Sequence, residues 1–172
     1  MKEKRPFWEE KTLAEMTRAE WESLCDGCGK CCLLLLEEEK TGRYHETDVC
    51  CRLFDPKTRL CTDYKNRRAR VPDCVRLTPE GMKTLDWMPE SCAYRRLARG
   101  EPLPDWHPLL TGDRRSVEDA GVAVKDVVSE EDVPWDDIWL HVVAARPRPR
   151  RKKRKGRGRR APRSDKSPRP DR

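Results

Sequence analysis

Four thiols within eight residues, Cys25-Asp-Gly-Cys28-Gly-Lys-Cys31-Cys32, constrain this chain more than any other stretch. A Cys-x2-Cys spacing lets two side chains turn back onto one ion, and Gly27 and Gly29 permit the tight backbone that this needs. A second step of the same spacing adds a third thiolate, as in the C-x2-C-x2-C runs of iron–sulfur sites. Five more cysteines follow, Cys50, Cys51, Cys61, Cys74 and Cys92, so all nine fall between residues 25 and 92. An odd count suits paired disulfides poorly. The N-terminal Met1-Lys-Glu-Lys-Arg-Pro-Phe-Trp lacks the apolar stretch of a secretory signal. The expected location is therefore cytoplasmic, where reduced cysteine serves metal or redox chemistry.

Only 35% of the 172 residues are hydrophobic and 40% are charged, so the apolar core is small and gains from a metal staple. No run approaches the roughly 20 apolar residues that span a bilayer. The net charge of +7 hides a division. Residues 146–172 hold 15 Lys/Arg against 2 Asp/Glu, a net of +13, and residues 1–145 hold 23 against 29, a net of −6. The expected organisation is a cysteine-rich metal-binding domain over 1–145 and a disordered basic tail over 146–172.

Within the first part, Thr12-Leu-Ala-Glu15 and Thr17-Arg-Ala-Glu20 both carry the capping-box pattern. A short helix from about 18 to 24 should deliver Cys25, with Trp21 and Leu24 on its buried face. Leu33–Leu36, the turn signal Thr41-Gly42 and Arg43–Thr47 read as a hairpin returning the chain to Cys50-Cys51. Asp55-Pro-Lys-Thr58 is a second turn, leading to a loop-rich stretch with Cys61 and Cys74. Thr78-Pro79 predicts a helix ending before Pro89, and Cys92–Arg99 another, closed by Gly100. Glu101–Pro108 should run extended, anchored by Trp106. Beyond it we expect one helical turn over 116–120, a strand over 122–128, and a last short helix capped by Ser129–Asp132 that carries Trp135, Ile138 and Trp139. The fold class that follows is small, loop-rich α+β, stabilised by metal, with short helices and a hairpin.

The order Cys25-x2-Cys28-x2-Cys31-Cys32, Cys51, Cys61-x2-Tyr64-x2-Arg67, Pro72-Asp-Cys74 resembles the CxxCxxCC family of zinc- or iron-chelating proteins, nearest its YcgN-like branch. Phe7-Trp8, Trp21-Glu-Ser-Leu-Cys25, Ser91-Cys-Ala-Tyr94-Arg95 and Trp106-His-Pro-Leu109 extend the likeness over about residues 5–143. The resemblance implies metal binding without an assigned reaction. In relatives where the module is fused to enzymes it implies an iron–sulfur cluster. The chain departs from the pattern at Cys50, which is left out of the site, and in its basic tail.

Eight candidate ligands remain: Cys25, Cys28, Cys31, Cys32, Cys51, Cys61, Cys74 and Cys92. A tetrahedral zinc takes four thiolates, and so does one [4Fe–4S] cluster. The downstream cysteines are too widely spaced to form a second zinc knuckle, and a triplet completed by one remote cysteine favours the cluster. Zinc is the alternative. Cys61, Cys74 and Cys92 also have a simpler reading as small buried hydrophobes. Tyr64 and Arg67 are expected beside the site, the arginine offsetting thiolate charge.

His45, His107 and His141 lack ligand spacing, and His107 between Trp106 and Pro108 reads as a packed or capping residue. No hydrolase, zincin, P-loop or dinucleotide motif is present, so no enzyme can be argued. The tail segment Arg150, Arg151, Lys152, Lys153, Arg154 and Lys155 suits sequence-blind phosphate contact with nucleic acid. A solvated tail without a partner is the other reading, and a protein or redox partner for the domain is unspecified.

Overall fold

Local capping places the first cysteine. In the computed structural model, which describes residues 5–146, a single turn, α1 (Phe7–Glu10), is followed by α2 (Arg18–Ser23). The Thr17 hydroxyl accepts from the Glu20 N–H at 3.3 Å, and the Glu20 carboxylate accepts from the Thr17 N–H at 2.8 Å. This reciprocal box satisfies two otherwise orphaned donors. Thr12 and Glu15 make similar local bonds but enclose only a turn, so one of the two capping patterns starts a helix. Leu24, fully buried, ends α2 one residue before Cys25.

Leu33–Glu37 (β1) and Tyr44–Cys50 (β2) form the expected antiparallel hairpin, pairing Leu36 with His45 and Leu33 with Cys50 across one irregularity. The Cys51 N–H donates to the Cys32 carbonyl at 2.9 Å, so the hairpin brings Cys51 back beside Cys32. Phe54–Asp55 (β3) and Leu60–Cys61 (β4) pair around the Asp55–Thr58 turn, where the Asp55 carboxylate accepts from the Lys57 N–H and the Thr58 hydroxyl. This small ladder lies within the stretch that reads as loop-rich in the sequence. A one-turn helix, α3 (Arg67–Arg70), follows.

The helix expected after Thr78 does not form beyond a 3-10 turn, Gly81–Lys83. The Thr78 hydroxyl does accept from the Gly81 N–H, but the Thr84 hydroxyl donates back to the Gly81 carbonyl. Such local bonds, together with a glycine's low helix propensity, compete with the helical ladder. Met82 and Met88 instead both reach the core. α4 (Ala93–Ala98) begins at Cys92 and ends at Arg99, with Gly100 at φ +73°. Two further single turns, α5 (Pro108–Thr111) and α6 (Ser116–Asp119), follow the extended segment.

The strand expected over 122–128 is reduced to Val128–Ser129 (β5), parallel to β2. Upstream of it the Val124 N–H is committed to the Cys28 carbonyl at 2.9 Å and Asp126 takes a positive φ, which prevents continuous pairing. The last helix is a 3-10 stretch, Trp135–His141, preceded by Pro134 without a side-chain cap. Ile138 is buried as expected, whereas Trp135 and Trp139 are 70% and 52% exposed. Val142–Arg146 (β6) then pairs antiparallel with β2, an element that the sequence reading lacked. β2 is thus central, with β1 on one side and β5 and β6 sharing the other.

The fold is a small, loop-rich α+β arrangement. Its main apolar cluster joins Leu24, Met82, Met88, Cys92, Ala93, Tyr94 and Leu103, with Trp21 packed against it. The Tyr94 hydroxyl donates to the Trp21 carbonyl at 2.8 Å and locks α4 to α2. A second cluster of Leu36, Val49 and Ile138 lies under the sheet. Among the described residues no helix is long and apolar enough to cross a membrane.

Candidate metal centre

The loop from Cys25 to Cys32 is held from several directions. Gly27 and Gly29 sit at φ +73° and +80°, the left-handed region that lets the chain double back between the cysteines. Arg59 donates from Nε to the Gly27 carbonyl at 2.9 Å and pairs through its guanidinium with Glu118. A Cβ on Gly29 would lie 2.6 Å from both Phe54 Cζ and Val124 Cγ2. The loop is therefore gripped by segments 25 to 95 positions away in the sequence, and only a glycine fits at its tightest point.

The nine cysteines are free thiols and divide between neighbourhoods. In the first, Cys25 lies within electrostatic reach of Cys31 and Cys92, and Cys28 within reach of Cys31. Cys92, at the start of α4, is thus the remote cysteine within electrostatic reach of the triplet. In the second, Cys51 is within reach of Cys74 and Cys61. Cys32 stands between the two, its thiol bonded to that of Cys31 and its carbonyl to the Cys51 N–H. Cys50 is 2% exposed and sits in the sheet opposite Leu33 and Ser129.

Burial and like charge act together on these thiols. Burial, then Cys31, raises the pKa of Cys25, and burial, then Asp26, raises that of Cys28. The hydrogen bond with Cys32 is the largest cause at Cys31, followed by burial. Burial pushes Cys92 up to about 11. Cys25 and Cys31 nonetheless keep exposed surface, while Cys28 and Cys92 lie behind them. Solvent therefore reaches Cys25 and Cys31. Without a cation the thiols are held protonated. A bound cation favours thiolate, and binding releases protons.

Among the described residues no three His, Cys, Asp or Glu side chains close tightly enough around one point to hold an ion. The donors are neighbours rather than a finished cage. They fit a thiophilic metal in chemistry, and a second observation points the same way. Asp26 is only 7% exposed, its Oδ1 accepts from the Cys28 N–H at 2.9 Å, and its Oδ2 has no hydrogen-bond partner. The sequence reading passed over Asp26. The available signal was a carboxylate inside a Cys-x2-Cys loop, where a spacer residue is ordinarily solvent-facing.

The three histidines contribute no ligand cluster. His107 is fully buried; its Nδ1 accepts from the Leu109 N–H at 3.1 Å and its Nε2 is 3.2 Å from the Leu24 carbonyl. The acceptor role of Nδ1 assigns the proton to Nε2, so the ring is a neutral, satisfied cap, and burial lowers its pKa. His141 pairs with Asp48 at 2.8 Å, and His45 packs edge-on against Trp139. The Tyr64 hydroxyl donates to Glu22 at 2.8 Å, and its pKa is pushed to about 12 by burial first and then by that carboxylate, with Cys25 a lesser contributor. The Arg67 guanidinium stacks 3.8 Å from the Tyr64 ring centre and donates to the Tyr64 carbonyl. Arg67 therefore packs on Tyr64, whose hydroxyl is held by Glu22, three positions before Cys25. Arg150, Arg151, Lys152, Lys153, Arg154 and Lys155 lie outside the described residues.

Residues 24–93, which contain all nine cysteines, match the CxxCxxCC family, described as a "Putative zinc- or iron-chelating domain". A UPF0260 protein of Rhizorhabdus wittichii is 61% identical over 132 residues, covering 77% of this chain and 90% of the relative. Another from Caulobacter sp. (strain K31) is 57% identical, covering 76% and 81%. A third, from Marinobacter nauticus, is 52% identical, covering 80% and 94%. No solved structure matches. With the ordered cysteines, the glycine-built loop and identity above one half over most of each relative, the chain belongs to the UPF0260 family and carries its CxxCxxCC zinc- or iron-chelating domain.

Proposed function

We propose that this protein holds an iron–sulfur cluster through cysteine thiolates, as an electron carrier or as a cluster-stabilised module. The observation that supports the reading is Cys92, at the start of α4, coming within electrostatic reach of Cys25 and Cys31 of the Cys25-x2-Cys28-x2-Cys31 triplet, which offers a fourth thiol from a distant helix start. A triplet completed by one remote cysteine is the usual provision for a [4Fe–4S] centre. Such a centre supplies one-electron transfer when bound. The chain's own part is to position the thiols, keep Cys28 and Cys92 from water, and leave Cys25 and Cys31 accessible. Cys32, Cys51, Cys61 and Cys74 form the reserve from which a second centre would draw.

Iron and acid-labile sulfide in anaerobically purified protein, with broad visible absorbance lost in Cys28→Ala and Cys92→Ala, is the expected result. Stoichiometric zinc without sulfide would replace this reading with a zinc-stabilised interaction module. In that second reading the +13 segment 146–172 brings the module to nucleic acid or another acidic partner. Removing residues 147–172 should then abolish low-salt binding to a mixed-sequence RNA; unchanged binding would remove the tail from the account.

A further inference from the structure

Asp26 is a buried carboxylate whose surroundings do not complete it. Its Oδ1 is used by the Cys28 N–H, in the two-residue turn that shapes the Cys25–Cys28 loop. Its Oδ2 meets no hydrogen-bond donor among the described residues, although the residue is only 7% exposed. A carboxylate has acceptor capacity alone, so what completes it must be a donor or a cation. Arg59, which reaches this loop, donates to the Gly27 carbonyl and is paired with Glu118. A buried polar atom left without a partner is expensive, and in native proteins it calls for an explanation such as a bound ligand or ion.

The position of this oxygen is specific. The side chain lies between Cys25 and Cys28 in the sequence and is held by the Cys28 N–H, so it is fixed within the loop that carries the thiols. His107 cannot complete it, because both of its ring nitrogens are engaged by Leu24 and Leu109. The unmet oxygen therefore belongs to the same loop as the thiols of Cys25, Cys28 and Cys31. Resting on the metal-binding reading above, we propose that Asp26 is an oxygen donor to the metal centre, its Oδ2 taking one position beside thiolates drawn from Cys25, Cys28, Cys31 and Cys92. The centre is then a mixed sulfur and oxygen site. Five donors exceed the four positions of one tetrahedral ion, which suits either a polynuclear group or a single ion that leaves one thiol aside.

Cobalt(II), titrated anaerobically into the reduced full-length chain, is the probe. Thiolate-to-cobalt charge transfer reports sulfur donors, and the d–d bands report the whole donor set. Asp26→Asn keeps the Oδ1 acceptor for the Cys28 N–H and removes the anionic oxygen. The expected result is a tenfold or greater loss of cobalt affinity with altered d–d bands, the charge-transfer intensity per bound cobalt being retained. Wild-type affinity and wild-type d–d bands in Asp26→Asn would overturn the proposal. So would a parallel loss of charge transfer, which would make Asp26 only a shaper of the loop. A wild-type chain that takes up neither cobalt nor iron would overturn the metal-binding reading itself, and this assignment with it.

Discussion

Gly29→Ala tests how tightly the cysteine loop is gripped, with Gly27→Ala as its internal control. Both residues adopt left-handed backbone, at φ +80° and +73°, so any L-residue at either position costs about 1–2 kcal/mol. Gly27 faces open space, and nothing lies within 4 Å of an added Cβ. At Gly29 the added atom meets Phe54 and Val124 side chains at 2.6 Å, closer than carbon atoms approach. Phe54 is 6% exposed, its N–H is bonded to the Cys51 carbonyl and its backbone pairs with Cys61, so the ring cannot retreat without moving that strand. Overpacking of this kind costs roughly 1–3 kcal/mol.

The expected losses are thus about 1–2 kcal/mol for Gly27→Ala and about 2–5 kcal/mol for Gly29→Ala, summing the two contributions. The reduced freedom of the unfolded chain applies equally to both variants and cancels in the comparison. Urea unfolding of the reduced full-length chain, at matched metal content, measures the difference as a shift in midpoint at constant slope. Because Phe54 links Gly29 to Cys51 and Cys61, Gly29→Ala should also disturb the second thiol neighbourhood. Equal stability losses in the two variants would refute the contact with Phe54 and Val124.

Thr17→Ala should cost about 1 kcal/mol by removing the capping box of α2, and calorimetry of the two proteins checks it. Leu24→Ala, at a fully buried position in the main cluster, should cost about 2–5 kcal/mol in the same measurement. Burial depresses the His107 pKa, so between the unfolded value near 6.5 and the lower folded value the unfolded chain binds the extra proton. Stability from this group is therefore complete above about pH 6.5 and declines as pH falls through that window. His107→Gln should flatten the difference in stability between pH 7 and pH 5, measured by denaturant titration. The thiols of Cys28 and Cys92 have raised pKa values, so metal uptake should release protons and the apparent zinc affinity should climb with pH between 6 and 8, as read by chelator competition.

Much of the local structure was legible because neighbouring residues decide it. Thr17 and Glu20 cap each other across three positions, Thr41-Gly42 turns a hairpin, and Cys92–Gly100 carries its own helix stop. The C-x2-C-x2-C spacing and its two glycines likewise fix a doubled-back loop from eight consecutive residues. His107 as a capping residue followed from its place before Pro108. Where the sequence reading departed from the fold, a distant partner had changed the local choice. The backbone of Val124 bonds to Cys28 rather than continuing a strand, and Met82 and Met88 are drawn into one core where a helix would have separated them.

By itself the sequence determined the family, the donor chemistry and the charge division, since residue types and short spacings carry all three. Only the tertiary structure decided that Cys92 comes within electrostatic reach of the triplet, that Cys50 belongs to the sheet, and that Phe54 and Val124 close over Gly29. It also decided that Asp26 lies inside with one oxygen unmet. Burial and long-range proximity arise from packing segments tens of residues apart. A spacer aspartate reads the same in sequence whether it faces water or the interior.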